Sequence, residues 1–189
     1  MKQLTSIHEF GPFLKKQKLL YAGAEIGVAE GRFSLQMMNW GFKKIYLVDI
    51  WEHRPDLPGD GSSSQEWHDL NLRGCQEKLK RFGNKVVYLK GESKDMVHKV
   101  KDESLGFLYL DGNHEYSAVL NDLNIWFPKM KPGSIIAGHD YNDMYGVKQA
   151  VNEFTKGRAN KLPELAEENA GFWFYVNDLP VFRYAHSIR

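Results

Sequence analysis

The chain has 189 residues, 42% of them apolar and 26% charged, with 25 basic and 24 acidic side chains for a formal net charge of +1. That length suits a single domain with one hydrophobic core, and the charge balance argues against nucleic acid as a partner. One cysteine, Cys75, excludes an internal disulfide, and no apolar run reaches the length of a membrane span.

In chain order, the first residues lack a continuous hydrophobic signal core, so a cytoplasmic protein is expected. Short apolar runs predict buried parallel strands at 19–26, 44–50, 85–90, 105–111 and 134–140. Between them lie helical patterns. Trp67, Leu70, Cys75, Leu79 and Phe82 fall near one face of a helix over 66–82, which Gly83 and Asn84 stop. Val119, Leu120, Leu123, Trp126 and Phe127 do the same over 116–127, and Val147, Ala150, Val151 and Phe154 over 146–154. Cys75 on its stripe reads as a buried structural thiol.

Strands alternating with helices predict an α/β, doubly wound, mostly parallel sheet. Residues 172–176 and 181–185 are aromatic-rich runs joined across Pro180, an antiparallel pair closing one edge. Residues 52–64 hold Pro55, Pro58, Gly59, Gly61 and three serines, so regular structure is not expected there. Because they follow the second strand, they are either a surface excursion or a lid over a ligand crevice.

The turn after the first strand reads Glu25-Ile26-Gly27-Val28-Ala29-Glu30-Gly31. Gly27 allows a sharp exit from the sheet, and Gly31 a close approach at the helix start. A dinucleotide site requires a second glycine where Ala29 stands, so that backbone amides can reach a pyrophosphate. Glu25 repels phosphate but suits a ligand that carries an ammonium group, as S-adenosylmethionine does. Asp49 ends the second strand, where an acid can accept hydrogen bonds from two ribose hydroxyls. Glu92 and Ser93 follow the third strand and are candidates for the adenine edge; a helix N-cap is the plain alternative for Ser93.

With these blocks the chain resembles the class I S-adenosylmethionine-dependent methyltransferases, and within them the compact bacterial small-molecule and sugar O-methyltransferases. The likeness runs from about residue 20 to 154 and rests on the glycine turn, on Leu108-Tyr109-Leu110-Asp111-Gly112-Asn113-His114-Glu115-Tyr116, on Trp126 to Gly133, and on Ile136-Ala137-Gly138-His139-Asp140-Tyr141. The resemblance implies a Rossmann-like sheet of seven strands in the order 3-2-1-4-5-7-6, the last antiparallel. It also implies cofactor contacts from Glu25, Gly27, Gly31, Asp49, Glu92, Ser93 and Asp111, with Asp111 and His114 flanking the methyl-transfer site. Two departures concern the acceptor: Asn113 and His139 stand where sugar-modifying relatives often carry acids.

The expected activity is methyl transfer to a hydroxyl of a small molecule, a sugar included. A nicotinamide-dependent oxidoreductase and a non-catalytic adenosyl-binding protein are the alternatives. Two routes for the acceptor's proton stay open. Asp111, His139 and Asp140 could hold Mg²⁺ or Mn²⁺, or His114 could act as a general base without a metal. The plain alternative is that His114 caps a helix and His139 meets a backbone carbonyl. A homodimer through the C-terminal strands is the expected assembly.

Overall fold

The computed structural model describes residues 7–142, 146–156, 164–166 and 171–176. Along the chain run α1 (Phe10–Lys16), β1 (Gly23–Ile26), α2 (Arg32–Trp40), β2 (Ile45–Asp49), α3 (Gln65–Leu79), β3 (Val86–Lys90), α4 (Ser93–Met96), β4 (Leu105–Leu110), α5 (Tyr116–Trp126), β5 (Met130–Gly138), α6 (Val147–Thr155), β6 (Glu164–Ala166) and β7 (Gly171–Tyr175). The strands form one seven-stranded sheet in the order β3-β2-β1-β4-β5-β7-β6. Neighbours from β3 to β5 are parallel, and β7 runs antiparallel to both β5 and β6. This is the class I methyltransferase topology.

Side-chain alternation along the strands divides the interior in two. Ala24, Ile26, Val48, Leu108, Leu110 and Ile136 face α5 and α6, around Trp126 and Phe154. Ile45, Leu47, Phe107, Tyr109, Ile135 and Trp173 face α1, α2 and α3, around Phe10, Met37 and Cys75. Cys75 is buried, and loss of solvation pushes its thiol up to about 12. It is structural, as its stripe suggested.

Several boundaries differ from the sequence reading. β1 begins four residues later than expected, because Lys18 takes a left-handed turn (φ 59°) and Leu19 N–H donates back to the Leu14 carbonyl. β5 begins earlier, at Met130, with a register irregularity against β4 before Ile135. The edge partner of β7 is Glu164–Ala166, which the sequence reading did not anticipate; the expected partner run 181–185 lies outside the described residues. α1 was also not anticipated. Among the described residues, no helix is long and apolar enough to cross a membrane.

Candidate active site

The carboxyl edge of the parallel strands carries one acid per strand. Glu25 lies within β1, Asp49 ends β2, Glu92 follows β3, Asp111 follows β4 and Asp140 follows β5. The gap at this edge, where connections leave toward opposite faces, is where ligands bind in such sheets.

The β1–α2 loop is held by its neighbours on both sides. Gly27 (φ 82°) packs so closely on the end of β4 that a Cβ would lie 2.1 Å from the Asp111 carbonyl oxygen. Gly31 (φ 75°) meets α3, where a Cβ would lie 2.6 Å from Cys75 Sγ. Asp49 binds the loop directly: its Oδ2 accepts from the backbone N–H groups of Val28 and Ala29, each at 2.8 Å. Its Oδ1 accepts from Trp51 N–H at 3.1 Å. The amides that a pyrophosphate would need are therefore taken by a carboxylate, which disfavours a dinucleotide.

Glu25 is turned inward toward α2. It is 2% exposed and accepts a hydrogen bond from the Ser34 hydroxyl. Burial raises its pKa well above the ordinary carboxylate value; Ser34 opposes the shift. Its position ties β1 to α2, while its side chain is withdrawn from the crevice surface.

Glu92 and Ser93 sit beside Asp49, since Lys90 pairs with Asp49 and Gly91 N–H donates to the Asp49 carbonyl. Glu92 Oε2 lies 2.6 Å from Lys94, and Oε1 lies 2.5 Å from Arg54. These cations hold its carboxyl below the usual range, Lys94 foremost. Ser93 Oγ accepts from the Trp126 indole N–H at 2.7 Å, which joins the β3–α4 turn to α5.

Arg54 belongs to the 52–64 connection, which hydrogen bonds tie at several points. Arg54 N–H donates to the Gly61 carbonyl, His53 N–H to Gln65 Oε1, and Ser64 caps α3 by accepting from Trp67 N–H. One turn of 3-10 helix forms at Gly59–Ser62. Arg54 anchors the segment to Glu92 at the β3 end, and the charge of Asp60 reaches His114 at the β4 end. The connection thus arches along the crevice. Its composition announced a loop, but nothing in it marked Arg54 as the anchor.

At the ends of β4 and β5, Asp111, His139 and Asp140 each offer a ligand atom within 4.8 Å of the others. His139 N–H donates to the Leu110 carbonyl, and Asp140 takes a left-handed conformation (φ 56°). His114 stands over the same place: Nε2 lies 3.3 Å from Asp140 Oδ2 and 3.6 Å from Asp111 Oδ1. Its pKa is raised, with the bond to Asp111 the largest cause and burial opposing. Asp140 is nearer by distance but contributes through charge alone. Asn113 shapes this turn, its Oδ1 accepting from Glu115 N–H. A small cavity lies between α5 and α6 beside His114 and His139, with Asp122 in its wall. Asp122 was missed in the sequence, where it reads as one polar position of an amphipathic helix.

The donors present fit two groups. A string of acids without a free phosphate cradle suits a ligand with hydroxyls, an ammonium and a sulfonium. Two carboxylates and an imidazole suit a divalent ion of the Mn²⁺ or Mg²⁺ kind.

Comparison with known proteins bears on the fold and the family. A structure of the O-methyltransferase NovP matches with a TM-score of 0.63 at 20% identity, covering 89% of this chain and 77% of that one. An rRNA methylase from Streptococcus thermophilus matches with a TM-score of 0.59 at 15% identity, covering 92% and 95%. Likeness at such identities shows the fold alone. Protein R132 of Acanthamoeba polyphaga mimivirus, itself uncharacterised, is 29% identical over 134 residues, which is 68% of this chain and 54% of that protein. The chain therefore spans about half the length of that relative. A family model described as "Methyltransferase domain" matches residues 24–141, from β1 to the turn after β5. With the strand order, the glycine turn and the acidic edge in place, the chain belongs to the methyltransferase-domain family and has the class I S-adenosylmethionine-dependent fold.

Proposed function

We propose that the protein transfers the methyl group of S-adenosylmethionine to a hydroxyl of a small molecule, sugars among the candidates. The observation that carries this reading is the convergence of Asp111, His114, His139 and Asp140 at the end of the acidic edge. Bound S-adenosylmethionine supplies a methyl carbon on a sulfonium, open to in-line attack by an acceptor oxygen.

The chain's own residues then have three tasks. Gly27 and Gly31 let the loop that floors the crevice pack closely on the end of β4 and on α3, and Asp49 fixes that floor through Val28 and Ala29. Asp49 also offers the remaining lone pairs of its carboxylate to the ribose hydroxyls. His114 Nε2 takes the acceptor's proton as the new carbon–oxygen bond forms.

Asp111, His139 and Asp140 would hold Mg²⁺ or Mn²⁺, and the ion would supply Lewis acidity that makes the acceptor hydroxyl easier to deprotonate. Without an ion, His114, whose Nε2 stands beside Asp111 and Asp140, would be left as the proton acceptor in its neutral form.

Calorimetry with S-adenosylmethionine and with NAD tests the cofactor. Tight binding of the first and none of the second is expected; a preference for NAD overturns the proposal. Methyl turnover on a panel of hydroxylated acceptors separates an enzyme from an adenosyl-binding protein.

A further inference from the structure

The two edges of the sheet carry opposite charge. The connections leaving β1 to β5 bear Glu30, Glu52, Asp60, Glu92, Asp111 and Asp140, with Arg54 as their one lysine or arginine. The connections entering the same strands reverse the pattern: each holds a lysine, and Asp102 and Glu103 are their only acids. On a chain of formal net charge +1, this separates charge between two surfaces.

Most of these lysines are uncommitted. Lys43 and Lys44 precede β2, Lys85 precedes β3, Lys99 and Lys101 precede β4, and Lys131 lies at the start of β5. All six are exposed, and none has a carboxylate within ion-pair distance among the described residues. Lys129 does, 2.6 Å from Asp102. Compensation of helix ends does not account for the set. α2, for example, has no basic residue in its last turn, and Lys43 and Lys44 follow its Gly41 cap. Like charges gathered in this way repel one another, and an anionic surface relieves the repulsion.

The chemistry of the edge shows which anionic surface. From β3 to β5 the strand starts lie side by side over about 20 Å, so the charge is spread in a row. Nucleic acid is held by arginine forks and by aromatic faces on which bases stack. Here the charges are lysines, and Arg81 beside them donates to Asn39. The rings of Tyr21 and Tyr46 at this edge lie under the ammonium groups of Lys131 and Lys44. Lysine is a flexible point charge, suited to the mean potential of a charged plane. We propose that the amino edge of the sheet docks on an anionic lipid bilayer, with the lysines toward the headgroups and the acidic crevice turned to the water phase. The acids of the opposite edge fix this orientation, because the same field repels them. The inference is independent of the proposed reaction.

Sedimentation with vesicles tests it, using phosphatidylglycerol mixed equally with phosphatidylcholine, and phosphatidylcholine alone. Binding is expected to the mixed vesicles only, and it should fall about tenfold or more when salt is raised. The paired variants Lys43→Glu/Lys44→Glu and Lys99→Glu/Lys101→Glu should each weaken it by about tenfold or more. The pair Arg73→Glu/Lys90→Glu makes the same charge change at exposed positions away from that edge and should stay within about twofold. Equal binding to both vesicles, no binding at low salt, or equal losses in the edge and control variants overturns the inference. So does polyuridylic acid, if at the same salt it binds more tightly than the vesicles and loses that binding in the edge variants.

Discussion

Trp51 and Ala29 hold each other in unusual conformations. Both have positive φ, 39° and 47°, and the Trp51 indole N–H donates to the Ala29 carbonyl at 3.0 Å. Asp49 accepts from the backbone of both residues. Removing that carboxylate therefore unties the crevice floor as well as the proposed ribose contact. With three backbone amides satisfied by its carboxylate, Asp49 carries structural weight of its own. Asp49→Ala should cost about 1–3 kcal/mol of stability in urea unfolding and also weaken S-adenosylmethionine binding. Asp49→Asn, which keeps an acceptor, should recover part of the stability. A fully stable Asp49→Ala protein would show that the loop holds itself.

Gly31 and Cys75 make a second pair. Gly31→Ala introduces a left-handed alanine and a clash with Cys75 Sγ, and should destabilise by about 1–3 kcal/mol. Cys75→Ala removes the sulfur, which is the nearest obstacle; Cys75 Cβ stays 3.2 Å from the new methyl group. The double variant should therefore be less damaged than the two single losses added together, by about 0.5 kcal/mol or more. Strict additivity in urea unfolding would mean that backbone strain alone sets the cost.

Much of this architecture was legible because its determinants are local. Runs of strand formers, the helical stripe of Val119, Leu123 and Trp126, and the glycine turn each show themselves within a dozen residues. Asp49, Asp111 and Asp140 could be placed at the sheet's carboxyl edge because strand ends can be located to within a residue or two. What stayed hidden depends on distant partners. Glu25 looked like a ligand contact, yet Ser34 and burial claim its carboxyl. Arg54 looked like one loop residue among many until Glu92 met it across the sheet edge.

Asp122 gives the stability a pH dependence. Burial is the main cause that pushes its carboxyl up to about 6 from 3.8, with a bond from Ser93 opposing. The unfolded chain releases this proton near pH 3.8, whereas the folded protein keeps it until about 6. Across that interval the folded state binds more protons, so this group's contribution to stability is full below the interval and falls as pH rises through it. Asp122→Asn removes the charging cost. Its melting temperature should exceed that of the unaltered protein at pH 8 by several degrees, and the gap should close by pH 4. A gap of the same size at both pH values would show that Asp122 does not titrate in this way.

The acceptor's proton decides between a metal-dependent and a metal-free enzyme. Asp111, His139 and Asp140 bring three ligand atoms within 4.8 Å, close enough for one divalent ion with water or acceptor oxygens completing its shell. His114 competes for the same carboxylates, and an ion bound there would disfavour the protonated imidazole and free Nε2 to accept a proton. Metal and base would then act together. On this view turnover falls more than about tenfold in EDTA and returns with added Mn²⁺, with Mg²⁺ less effective because one ligand is an imidazole. Asp111→Asn and Asp140→Asn should each lose the metal response while still binding S-adenosylhomocysteine. His114→Ala should leave Mn²⁺ binding in place and lower turnover. Full turnover in EDTA would exclude the ion, and His114→Ala would then have to abolish activity for the metal-free route to stand.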